Sequence, residues 1–169
     1  MSSTMSPPRF RRGLASVVAT AATLAAVALT AAPAHAGVSV SPSTGLSSSA
    51  GGASVTVSGS APVWAPTATH VTLAVCNVAS GVTPGARCDA VHASGFETIA
   101  DYGTGITFQV YKNFADYTFL GGGGPAPTGT STTCLGTSGS QCAVTVSYYN
   151  GSGAGATQLG AELFNITFN

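Results

Sequence analysis

Six stretches of this chain alternate apolar and polar residues with a period of two: Val38 and Val40; Val55 and Val57; Val71, Leu73 and Val75; Ile106, Phe108 and Val110; Val144, Val146 and Tyr148; Phe164, Ile166 and Phe168. Successive side chains of an extended strand point to opposite faces, so each stretch can bury one face and leave the other in water. Turn formers separate them, at residues 42–52, 62–66, 81–85, 121–129 and 150–155. No window of ten residues carries an apolar repeat of helical period, and a short seventh strand fits around Glu97 to Ala100. The pattern predicts an all-β domain, an antiparallel β-sandwich with one solvated side to each sheet. Composition agrees: the 169 residues are 44% hydrophobic and only 6% charged, with 22 Gly, which excludes both a disordered chain and a charged helical bundle.

The first residues read differently. Arg9, Arg11 and Arg12 precede an uncharged, Ala-rich stretch from Gly13 to Ala32, followed by Pro33 and the tripeptide Ala34-His35-Ala36. A basic start, an apolar middle and small residues at the end make a secretory signal peptide. The expectation is a signal peptide over 1–36 and one mature domain over 37–169. The competing reading, a retained membrane anchor, is disfavoured by the weak hydropathy of Ala and by the cleavage signal. The mature part keeps Arg87 and Lys112 against Asp89, Glu97, Asp101, Asp116 and Glu162, a net charge of −3. Two isolated cations cannot neutralise a phosphate backbone, so tight, direct DNA binding by the polypeptide is not expected.

All four cysteines lie in the exported part, where disulfides persist, and four cysteines allow three pairings. Pairing Cys76 with Cys142 imitates an antibody domain, but that bridge packs on a Trp between the cysteines and the only Trp is Trp64. Local pairing, Cys76 with Cys88 and Cys134 with Cys142, is preferred because it closes two Gly-, Ser- and Thr-rich loops with little apolar content of their own. A metal site drawn from Cys76, Cys88, His70 and His92 matches no closed zinc spacing, and oxidised cysteines are not ligands, so no metal is expected.

No catalytic residue is expected. A hydrolytic triad needs a nucleophile, a base and an orienting acid in order, and His70 and His92 stand in no such arrangement. The run Gly151-Ser152-Gly153-Ala154-Gly155 opens no helix and reads as a hairpin turn. Glu97 and Asp101 read as solvated charges, since no helix is predicted to bring them together. Two features do bear on binding. Phe114, Tyr117 and Phe119 crowd beside four glycines, where they either cap the core or line a groove. In the strand around Cys142, Val144, Val146 and Tyr148 define the core face, which leaves Ala143, Thr145 and Ser147 on the other.

These residues resemble the neocarzinostatin family, the enediyne-antibiotic apoproteins of the macromomycin and actinoxanthin type. The likeness runs from about Val38 to Asn169. It rests on Val40-Ser-Pro-Ser-Thr-Gly-Leu46 at one end and Ile166-Thr-Phe-Asn169 at the other, on the two local cysteine pairs in order, and on the segment Gln109 to Phe119, which aligns without gaps on the family's aromatic ribbon. The resemblance implies a seven-stranded immunoglobulin-like β-sandwich with two disulfide-closed β-ribbons and, between them, a cleft for a labile chromophore. It implies ligand-binding roles for Phe114, Tyr117, Phe119 and Ser147, a cleft floor that includes Ala74 and Val78, and a further wall from Phe96. Val78 stands where the best-known member has Trp, and Ala143 where it has Gln.

The function expected on this basis is that of a secreted, monomeric, non-enzymatic chromoprotein. It carries a non-covalent enediyne chromophore, needs no tightly bound cofactor, meets DNA only through its cargo, and has no membrane association after signal cleavage. The alternative is an orphan binding or cell-surface interaction module with another ligand, presenting a flat patch built on Trp64, Tyr148 and Tyr149.

Overall fold

The computed structural model describes residues 37–119, 125–137 and 140–169; the expected signal peptide lies outside the described residues. Among the described residues, nine strands, one short α-helix and a 3-10 turn at Gly153–Gly155 form. A three-stranded sheet contains β1 (Ser39–Ser41), β2 (Ala53–Ser58) and β5 (Ile106–Val110), in the order β1-β2-β5. A four-stranded sheet contains β3 (His70–Asn77), β4 (Glu97–Thr98), β8 (Cys142–Asn150) and β9 (Thr157–Ile166), in the order β4-β3-β8-β9. Every pairing within both sheets is antiparallel. Apart from them, β6 (Asn113–Thr118) and β7 (Ala126–Thr133) pair as a two-stranded ribbon. The fold is therefore the expected seven-stranded sandwich with appended ribbons.

Cross-strand register turns the period-two pattern into a core. Val55 lies opposite Phe108 and Val57 opposite Ile106 in one sheet; Val71 faces Tyr148, Leu73 faces Val146 and Val75 faces Val144 in the other. All ten are buried and share one apolar cluster with Leu46, Val110 and Ile166. Each buried aliphatic side chain contributes about 1.5–3 kcal/mol of transfer free energy, so this alternation is the main determinant of the fold.

Both local disulfides are present, Cys76–Cys88 and Cys134–Cys142. The first closes a ribbon in which Asn77 N–H donates to Arg87 O at 2.8 Å and Asp89 N–H to Val75 O at 2.8 Å. The second ties the segment after β7 to the first residue of β8.

Two elements depart from the expectation. The strand expected over Glu97 to Ala100 stops at Thr98, where the helix α1 (Ile99–Thr104) begins. Thr98 caps it: its hydroxyl accepts from Asp101 N–H at 3.1 Å and donates to Asp101 Oδ2 at 2.6 Å. Gly105 closes it with φ 110°, a conformation that favours glycine. Six residues are too few to show a helical period, and Tyr102 is the only one buried. At the C-terminus, the strand expected over Phe164 to Phe168 instead begins at Thr157 and ends at Ile166, while Phe168 makes an isolated parallel bridge to Leu46. Its first half escapes the pattern because Gly160 interrupts the alternation. A Cβ there would sit 2.6 Å from Trp64 Cζ3, so glycine is what lets the indole lie against the strand.

Candidate functional site

The four-stranded sheet has a second face, turned away from the core, and it floors a cleft of about 290 Å³. The floor is a cross-strand ladder. Its deepest row is Ala74 on β3, Thr145 on β8 and Leu163 on β9; the next is Thr72, Ser147 and Ala161; Tyr149 and Gln158 close it outward. Cys76 and Cys88 stand at one end, and Pro84, Gly85 and Phe119 complete the lining. Among the described residues, no Asp, Glu, Lys, Arg or His lines the cleft.

The wall is held by the ribbons. Cys88 N–H donates to Tyr117 O at 2.9 Å, Tyr117 N–H returns a bond to Cys88 O at 2.8 Å, and Phe119 N–H donates to Gly85 O at 3.0 Å. A half-buried ion pair reinforces this ladder: Arg87 Nε and Nη2 both reach Asp116 Oδ2 at 2.7 Å, and Thr130 Oγ1 donates to the same oxygen at 2.7 Å. Burial alone would push the Asp116 carboxyl up. Hydrogen bonds from Thr130, Thr132 and Arg87, with the Arg87 charge, outweigh burial and hold it below the ordinary carboxylate value.

The structure divides the seven ligand-binding candidates. Ala74, Phe119 and Ser147 line the cleft. Phe114 does not: the inward positions of β6 are Phe114 and Asp116, and Phe114, 5% exposed, packs into the core between the sheets. Tyr117 lies outside the cleft lining, its main chain spent on Cys88. Phe119, past the end of β6, is 37% exposed and free to face the cleft. Val78 packs against Ala74, Cys76 and Cys88 without entering the lining. Phe96 acts at one remove, its ring edge-on to Tyr149 at 5.0 Å.

Sequence reasoning missed Thr72, Thr145, Tyr149, Gln158 and Leu163. The signal for Thr145 was present, because alternation puts it on the same face as Ser147. The partners on β3 and β9 needed the register, which no local pattern carries.

His70 and His92 lie outside the cleft lining. His92 N–H donates to Asp89 Oδ1 at 3.2 Å, its Nδ1 lies 2.8 Å from Asp89 Oδ2, and its ring packs on Tyr111 at 3.9 Å. No group of three His, Cys, Asp or Glu side chains is placed to hold a metal ion among the described residues. Among them, too, no helix is long and apolar enough to cross a membrane. Glu97 and Asp101 do flank a helix start, unlike the expectation, but Asp101 is engaged in capping it.

An immunoglobulin-like sandwich whose outer sheet face, walled by disulfide-closed ribbons, forms an uncharged cleft is a scaffold suited to a small neutral ligand. Among solved structures, macromomycin is similar to this chain, with a TM-score of 0.50 and 27% sequence identity over 79% of this chain and 98% of macromomycin. The fold is thus macromomycin-like, in keeping with the neocarzinostatin-like resemblance. No family model matches the chain, and no curated protein does.

Proposed function

We propose that the protein is a secreted apoprotein that binds, stabilises and carries a labile, enediyne-type antibiotic chromophore, with DNA reached only through the cargo. The observation that carries this reading is the lateral cleft: an uncharged, largely apolar floor with a few polar groups and an aromatic wall, on a fold similar to that of macromomycin. Its volume, about 290 Å³, is at the low end for small-molecule sites, which fits one ring system inserted and the rest of the ligand lying along the ribbons. Export through the N-terminal signal and a monomeric, non-catalytic state complete the proposal.

The alternative, a surface module presenting Trp64, Tyr148 and Tyr149 together, is disfavoured by their placement. Tyr148 is fully buried, Tyr149 faces the cleft, and only Trp64, 47% exposed, is left for such a patch. Native mass spectrometry with an absorption spectrum, on protein taken in the dark from its producing strain, tests the proposal. A bound, releasable, light-absorbing mass supports the carrier. A bare polypeptide mass, lighter by four hydrogens for two disulfides, moves the reading to a binding module with another ligand.

A further inference from the structure

Asn150-Gly151 is the only Asn-Gly step in the chain, and it stands where β8 ends, with Asn150 exposed. Glycine has no Cβ to shield its main-chain nitrogen, which leaves that nitrogen open to bond formation with the side chain of the asparagine before it. The carboxamide of Asn150 takes no hydrogen bond from the described residues. The nitrogen, by contrast, is engaged. Gly151 N–H donates to Thr69 Oγ1 at 2.9 Å, and Thr69 Oγ1 lies 3.0 Å from His70 Nδ1. With its oxygen accepting from Gly151, the Thr69 hydroxyl still has its own proton to give, and His70 Nδ1 is the acceptor in reach. Both residues are fixed in place. Thr69 N–H donates to Tyr149 O at 2.9 Å, Thr69 O accepts from Ile99 N–H at 3.0 Å, and His70 pairs with Thr98 on one side and Tyr149 on the other. A base one hydroxyl away from the proton it removes, held on a strand between two others, meets the geometric requirement for general-base catalysis.

We infer that Asn150 is a self-modification site, at which the protein converts its own asparagine to aspartate and isoaspartate through a cyclic imide, Thr69 touching the reacting nitrogen and His70 receiving its proton through Thr69. As the Gly151 N–H proton passes by way of the Thr69 hydroxyl to His70 Nδ1, the electron pair of the nitrogen attacks Cγ of Asn150. The Cγ–Nδ2 bond then breaks, and ammonia leaves with the proton returned from His70. Water opens the imide at either carbonyl: one opening restores the main chain with an aspartate side chain, and the other routes the main chain through the side-chain carbons as isoaspartate. Water is the only co-reactant. Either product places one negative charge beside Tyr149 and Gln158, the outer row of the cleft, and isoaspartate adds a methylene to the strand, which displaces Asn150 from its pairing with Thr157. The inference is independent of what the cleft holds.

The test ages the purified protein at neutral pH, both folded and unfolded in guanidinium chloride. Peptide mapping with mass spectrometry separates asparagine, aspartate and isoaspartate at position 150, and Asn77, Asn113 and Asn165 serve as controls in the same digest. Folded wild type should convert Asn150 about tenfold faster than the unfolded chain, a modest part of what a placed base provides. Thr69→Val should remove that advantage, Thr69→Ser should retain it, and His70→Gln, which can hold a hydrogen bond but take no proton, should lose it. In guanidinium chloride all four proteins should convert at one rate, which separates the chemistry of the site from that of the dipeptide. Folded wild type that converts Asn150 no faster than the unfolded chain overturns the inference, as does a Thr69→Val variant that speeds conversion, since Thr69 is then a shield. Conversion of folded His70→Gln at the wild-type rate overturns the relay.

Discussion

Replacing Asp116 by Asn should destabilise the protein by about 2 kcal/mol at neutral pH and by progressively less as pH falls below about 4. One carboxylate oxygen takes Arg87 Nε, Arg87 Nη2 and Thr130 Oγ1, each at 2.7 Å, in a residue only 1% exposed. Removing one member of a buried pair outright costs about 3–5 kcal/mol. Asparagine keeps an acceptor oxygen, so charge-assisted bonds become neutral ones of about half the strength. The Arg87 side chain is 35% exposed, and water takes up part of what it loses.

The sign of the pH dependence follows from the depressed native pKa. The unfolded chain takes up a proton near pH 4, while the native carboxylate holds out to lower pH, so the stabilisation is complete above the unfolded value and is lost as pH falls through the native one. Asparagine does not titrate, so the gap between the two proteins should close on acidification. Urea denaturation at pH 7, 5, 3 and 2, followed by far-ultraviolet circular dichroism, reads it directly. A gap that stays constant across this range, or a variant as stable as wild type at pH 7, would refute the reasoning. Arg87→Met should cost more, about 3–4 kcal/mol, because it strands the carboxylate, and adding Asp116→Asn to it should recover part of the loss.

Other consequences are equally direct. Removing Cys76–Cys88 or Cys134–Cys142 as an Ala pair should cost about 2.5–3 kcal/mol by loop entropy, read from urea midpoints. Gly160→Ala should cost about 1–3 kcal/mol and shift the Trp64 emission, since the new methyl meets the indole at 2.6 Å. Tyr148 O–H donates to Glu162 Oε2 at 2.8 Å and lies 3.2 Å from the Tyr102 hydroxyl. Burial, foremost, pushes both phenols up. Two of the five tyrosines should therefore fail to ionise, by absorbance at 295 nm, until the protein unfolds, and stability should fall only above about pH 10, where the unfolded phenols ionise first.

What the sequence made legible follows from which forces act locally. Alternation along one strand is a local property, and it located six core strands and, through Val144, Val146 and Tyr148, the outward side of β8 on which Ser147 sits. The short helix α1 was illegible because a Thr98 cap and one buried tyrosine shape six residues without any repeat. β7 was missed for a related reason: its residues are Ala, Thr, Ser, Pro and Gly, exposed at all but Thr132, and they pair because Phe114 and Asp116 across the ribbon are anchored from the other side. The aromatic cluster shows the limit most plainly. Three rings in six residues look equivalent along the chain, yet the pleat sends Phe114 into the core, the Cys88 ladder occupies the main chain of Tyr117, and only Phe119, beyond the last strand residue, reaches the cleft. A cleft built on the reverse side of a sheet inherits its floor from register, and register is decided by the core on the other side. The residues that bury Val144 and Val146 thereby fix where Thr145 and Ser147 must stand, so selection for a stable core and selection for a ligand act on the same strand through alternate positions.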